Sequence, residues 1–155
     1  MEFANRLDIF EPGDLTALIC ADVPEVQRLM VDQLTSLNYK LHTGLFIEDI
    51  QLKLRAHAYD VVVISENFAA TDIETNPILR EATNAPSAQR RKQLLVLIGS
   101  SVQTNDELQA FQHSVDLVVN LADVMNLRPV LRRALLRAQE FYAPFQESLK
   151  AAGLA

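Results

Sequence analysis

Val61-Val62-Val63-Ile64 is a run of four β-branched aliphatic residues, preceded by Tyr59-Asp60 and followed by Ser65-Glu66-Asn67. Such a run has no polar face. A strand built from it must be covered on both sides, as the central strand of a parallel sheet is, because a half-exposed strand would alternate apolar with polar residues. The abrupt change to Ser65, Glu66 and Asn67 marks the strand's carboxyl end. In open α/β sheets the working crevice lies outside the carboxyl ends of the strands, so these three residues stand where such a domain keeps its chemistry.

The remaining sequence supplies partners for that strand. Residues 1–14 form a lead-in with Leu7, Ile9 and Phe10 as apolar anchors, ending in the turn Glu11-Pro12-Gly13-Asp14. Residues 15–21 (LTALICA) read as a short buried strand. Asp22-Val23-Pro24-Glu25 then carries a helix-start signal, with Val26, Leu29, Met30, Leu34 and Leu37 at helical spacing behind it. Residues 39–44 predict a weaker strand, and Ile47, Ile50 and Leu54 a second helix. Beyond the central strand, Asn76-Pro77 opens a helix carrying Ile78 and Leu79, which Ala85-Pro86-Ser87 closes. Residues 94–98 (LLVLI) are again wholly apolar and end in Gly99-Ser100-Ser101. Residues 105–112 predict a short helix with Leu108 and Phe111 turned inward, residues 115–119 a fifth strand ending at Asn120, and residues from about 124 to 150 an extended C-terminal helix. Five strands alternating with five helices predict one doubly wound, three-layer (βα)5 domain over 15–155 with a five-stranded parallel sheet.

Composition narrows the function classes. A net charge of −6 and a pI near 5.0 weigh against a nucleic-acid binder. The basic groups Arg90-Arg91-Lys92 and Arg128, Arg132, Arg133 and Arg137 read as solvated loop and helix surface. The single cysteine, Cys20, lies in an apolar run and excludes an internal disulfide or a cysteine-rich zinc site. No apolar stretch approaches the roughly 18 residues of a membrane span, and Met1 to Arg6 has no signal-peptide core, so a cytoplasmic protein is expected. The four glycines are Gly13, Gly44, Gly99 and Gly153; none follows the first strand, where a phosphate-cradling loop would need them. His42, His57 and His113 have no metal-ligand spacing, and no serine or cysteine carries a nucleophile signature. The expectation is a non-enzyme with no cofactor and no metal.

The order (βα)5, with ICADVPEVQRLM after strand one, YDVVVISENF at strand three, LLVLIGSS at strand four and VDLVVNLAD at strand five, resembles the receiver domain of bacterial response regulators over residues 15–139. The resemblance implies a flavodoxin-like fold. It also implies an aspartate at the end of strand three that takes a phosphoryl group, two acids after strand one that hold Mg²⁺, a Ser or Thr ending strand four, and a Lys-Pro ending strand five. Carried across, the acid pair falls on Ala21 and Asp22, the phosphoacceptor on Ser65, the hydroxyl on Gly99 or Ser100, and the Lys-Pro on Asn120-Leu121. The aromatic often found three residues before that lysine falls on Leu117. The match is therefore to a degenerate receiver. Mg²⁺ seeks an octahedral oxygen shell usually including one or two carboxylates, and this set offers Asp22, with Glu66 the nearest substitute on the opposite strand face.

The expected function is phosphorylation-independent binding of another protein, with no nucleic acid or membrane as partner. The alternative is a small-ligand binder using Asp22, Ser65, Ser100 and Asn120. Structural roles compete at each position: Asp22 as a helix cap, Ser65 as a small strand-end residue, Asn120 as a partner of loop backbone. The C-terminal helix offers a second candidate site. Phe141, Tyr142, Phe145 and Leu149 lie past the length needed to cover the sheet and predict a partner or homodimer surface, or else fold back on Phe3, Leu7 and Phe10. Pro144 predicts a bend after about Phe141.

Overall fold

The computed structural model describes residues 6–154. Five parallel strands form one sheet: β1 (Leu15–Cys20), β2 (Tyr39–Thr43), β3 (Val61–Ser65), β4 (Leu94–Gly99) and β5 (Leu117–Asn120). Their order is β2-β1-β3-β4-β5, so the chain reverses its direction of travel between β1 and β3. The helices are α1 (Pro24–Ser36), α2 (Ile47–Ala56), α3 (Pro77–Thr83), α4 (Ser87–Arg90), α5 (Glu107–Gln112) and α6 (Leu127–Ala151). This is the expected flavodoxin-like architecture, with the third connection split between α3 and α4.

Strand alternation assigns each residue to one of two apolar layers. Val61 and Val63 join Ala17, Ile19, Val96, Ile98, Leu117 and Val119 beneath Met30 and Leu34 of α1 and Leu127 and Leu131 of α6. Val62 and Ile64 join Leu18, Leu95, Leu97 and Val118 beneath Ile50 of α2, Ile78 and Leu79 of α3 and Ala110 of α5. All four central residues are fully buried, as a strand without a polar face requires. Two aspartates clamp the amino ends of neighbouring strands. Asp60 Oδ2 accepts from the Thr16 amide at 2.8 Å, and Asp116 Oδ2 accepts from the Leu95 amide at 2.8 Å.

Several local expectations are corrected. Leu7 and Ile9 are not anchors; they are 65% and 85% exposed, and of the three only Phe10 packs inward, against the layer holding Tyr59. The lead-in instead lies antiparallel along the outer edge of β2, where the Asp8 amide donates to the Leu41 carbonyl and the Thr43 amide to the Arg6 carbonyl. Leu108 and Phe111 face solvent, because α5 is only six residues long and seats itself on the sheet through Ala110. The fifth strand begins two residues later than expected, at Leu117. The helix does not stop near Phe141: α6 runs unbroken for 25 residues, with Pro144 inside it. Proline there still removes one amide donor from the helix.

Candidate functional site

The chain reversal between β1 and β3 opens the crevice between their carboxyl ends. Asp22 stands on one rim and the segment after Ser65 on the other. Asp22 does not cap α1, whose N-cap position is Val23 and whose first turn is set by Pro24. Its carboxylate reaches across instead, and Oδ2 accepts from the Ala69 amide at 2.9 Å. Ala69 and Ala70 both hold left-handed backbone, at φ 57° and 60°, a conformation costing about 1–2 kcal/mol per non-glycine residue. The Asp22 bond is thus a latch on a strained loop.

Ser65 donates to Asn67 Oδ1 at 2.9 Å and stays half-exposed. Glu66 turns to the other face, as alternation requires, and is buried. Its carboxylate lies beneath the end of β4, where it accepts from the Ser101 amide at 3.1 Å and from the Ser101 hydroxyl, with Ser100 Oγ at 3.5 Å. Gly99 makes this possible: a Cβ on Gly99 would collide with the Glu66 side chain. The position expected to supply a hydroxyl therefore supplies space for a carboxylate.

Asn120 accepts from the Ala122 amide at 2.9 Å and donates to the Val102 carbonyl at 2.7 Å, so it ties the end of β5 to the loop that follows β4. Thr104 supports it, accepting from the Asn120 amide at 2.8 Å and donating to Asp123 at 2.6 Å. Asn76 is a member that sequence reasoning missed. Buried after the eleven-residue span from Ser65, it donates to the Ser65 carbonyl at 2.9 Å and the Glu66 carbonyl at 3.2 Å while its Oδ1 caps α3 through Ile78 and Leu79. Its helix-start signal was visible; its second task of fixing the end of β3 was not. Among the described residues, no three His, Cys, Asp or Glu side chains are grouped to hold a metal ion.

The four residues proposed on the C-terminal helix do not form one patch. Phe141 is 76% exposed and meets Tyr142 edge-on at 5.0 Å between ring centres. Phe145 lies under the Arg91 guanidinium at 4.5 Å, while Leu149 is half-buried. None of them packs on the lead-in: Phe10 stacks on His42 at 4.0 Å on the other side of the sheet, and Phe3 lies outside the described residues. Between α5 and α6, over the edge of β5, a groove of about 450 Å³ is lined by Ala110, Phe111, Leu117, Ala134, Ala138 and Phe141 among others, with Arg133 and Arg137 on its rim.

The histidines, far apart in sequence, are not all far apart in space. His42 and His57 lie 6.4 Å apart in a cluster with Phe10 and Tyr59. His42 bonds the Tyr59 hydroxyl at 2.7 Å and the Asp8 carbonyl at 3.0 Å. Burial holds its pKa below the ordinary 6.5; the Asp8 carbonyl opposes this, and the Lys53 and His57 charges reinforce it. Burial likewise raises the Tyr59 hydroxyl, which remains a neutral donor.

Solved structures share this architecture. A chemotaxis response regulator of Vibrio cholerae superposes with a TM-score of 0.61 at 12% identity, covering 78% of this chain and 98% of that one. An orphan response regulator of H. pylori gives 0.58 at 13% identity over 79% and 98%. The receiver domain of a Pseudomonas aeruginosa sensor histidine kinase, with magnesium in its active-site cleft, gives 0.59 at 17% identity over 78% and 97%. No protein-family model and no curated protein matches the sequence. The chain has the fold of a response-regulator receiver domain.

Proposed function

We propose that this chain is a degenerate receiver that binds a protein partner and signals without accepting a phosphoryl group. The carrying observation is that the polar side chains of the crevice are each hydrogen-bonded within the chain, mostly to backbone groups. Asp22 is engaged with Ala69, Ser65 with Asn67, Glu66 with Ser101, and Asn120 with Val102 and Ala122. The serine is a poor substitute, since it makes an ordinary phosphate ester and lacks the two acids and the lysine that the resemblance implies. A small ligand has less support for the same reason: it would have to replace several internal hydrogen bonds.

The partner surface we assign is the groove between α5 and α6. Phe111, 82% exposed, and Phe141, 76% exposed, both line it, and large exposed aromatics beside an apolar groove are a feature of protein-binding surfaces. Its lining carries both signs of charge, Arg133 and Arg137 beside Asp106, Glu107 and Asp116, and Arg137 is ion-paired with Glu107. The module would work in the cytoplasm, through protein contacts alone; no helix of the described residues is long and apolar enough to cross a membrane.

The test is Phe111→Asp with Phe141→Asp, assayed by crosslinking and affinity capture against the wild type, with circular dichroism as the folding control. The folded variant should lose its captured partner at least ten-fold, because truncating central aromatic anchors costs about 2 kcal/mol or more. If Asp22→Ala or Glu66→Gln abolishes capture while the groove variant keeps it, the crevice is the binding site and this assignment is wrong.

A further inference from the structure

The lead-in does more than cover β2. The outward row of that edge strand is satisfied from two sides. Leu41 donates its amide to Asp8 Oδ2 at 2.9 Å and accepts from the Asp8 amide at 3.1 Å. Thr43 donates its amide to the Arg6 carbonyl at 2.9 Å, and its hydroxyl accepts from the Arg6 amide at 2.7 Å. Lys53 donates to the Thr43 carbonyl at 2.6 Å. The edge of the sheet has thereby moved outward by one segment. Arg6 and Asp8 turn their main-chain groups toward β2, so the residue between them turns its own away. The amide and carbonyl of Leu7 bond nothing among the described residues, nor do those of Ile9, and both side chains are largely exposed. Native edges are commonly blunted with charges, prolines or bulges. This one presents an open main chain on which the exposed Leu7 and Ile9 alternate with the charged Arg6 and Asp8.

We infer that this edge is a self-association surface, on which the lead-in of a second copy pairs antiparallel about a two-fold axis at Leu7. The occupant follows from charge and symmetry. Arg6 and Asp8 flank Leu7, joined by an ion pair at 3.2 Å. An antiparallel partner centred on Leu7 places its Asp8 opposite Arg6 and its Arg6 opposite Asp8, converting two separate ion pairs into an alternating set of four charges. Parallel pairing would set like charges beside each other, which destabilises a ladder. Leu7 then faces the partner copy's Leu7 as a hydrogen-bonded pair, each amide donating to the other's carbonyl. The contact is isologous, as a two-fold dimer requires, and joins two five-stranded sheets through their lead-ins.

This surface is distant from the α5–α6 groove and independent of it. The test uses the full chain in size-exclusion chromatography with light scattering over a wide concentration range, together with amide hydrogen exchange. The wild type should pass from one chain mass to two as concentration rises, with the Leu7 amide gaining protection in parallel. Leu7→Pro removes only the outward donor, which nothing inside the chain uses, and should remain monomeric with an unchanged circular dichroism spectrum. Leu7→Lys should do the same by charging the edge. A wild type that stays monomeric at every concentration, with the Leu7 amide exchanging freely, overturns the inference. So does a dimer that survives both Leu7 variants, or one that Phe111→Asp with Phe141→Asp abolishes.

Discussion

Gly99 and Glu66 show how one absent side chain fixes the character of the crevice. Glycine is required at 99 because the Glu66 carboxylate occupies the volume a Cβ would take, not because the backbone there is left-handed. Gly99→Ala should therefore destabilise the fold by about 1–3 kcal/mol through overpacking. Glu66→Ala in the same chain should recover most of that loss, since it removes the colliding atoms. Chemical denaturation of the two single variants and the double variant measures the coupling; strictly additive losses would show that the two residues do not share the space. The same residues mark where sequence reasoning stops. Ser65, Gly99, Ser100 and Asn120 were identifiable because strand ends are legible from composition. That Glu66 turns to the face opposite Ser65 was legible too, from strand alternation; what it meets there was not, because that depends on register between strands and on Asn76 gathering the Ser65 and Glu66 carbonyls from eleven and ten positions away.

At the scale of elements, the lead-in and α6 behave in opposite ways. The lead-in is pinned through His42, whose ring holds the Asp8 carbonyl and stacks on Phe10. Its pKa lies below the ordinary value in the folded chain, so the unfolded chain takes up the proton first as pH falls. The stability this group supports is complete above about 6.5 and declines as pH drops through that value toward its folded-state pKa. Urea midpoints between pH 7.5 and 5.5 should fall for the wild type and flatten for His42→Gln; equal slopes would remove His42 from the account. The second element, α6, continues through Pro144, although proline inside a helix costs about 3 kcal/mol relative to alanine. Pro144→Ala should raise hydrogen-exchange protection across residues 145–151 without changing the core, and unchanged protection would mean the helix end is held by tertiary contacts instead. The order of strands and helices was legible because buried runs such as Val61–Ser65 have no alternative fold. The continuation of α6 through Pro144 and the outward Leu108 and Phe111 were not, since local propensity decides a helix only when packing does not override it.

For the whole molecule, the chain has the receiver fold, and the polar side chains at its strand ends are hydrogen-bonded within the chain. The proposed contact surfaces lie away from that crevice, on the α5–α6 groove and the lead-in. If the proposed function holds, binding needs no covalent switch and should be constitutive. The most direct measurement is intact-mass spectrometry after incubation with acetyl phosphate and Mg²⁺, with hydrogen exchange recorded on the same samples. The account predicts an unmodified mass and an unchanged exchange pattern across Asp22, the Ser65–Asn76 loop and Ser101. A phosphoryl adduct on Asp22 or Glu66, or a Mg²⁺-dependent change in protection around them, would contradict it.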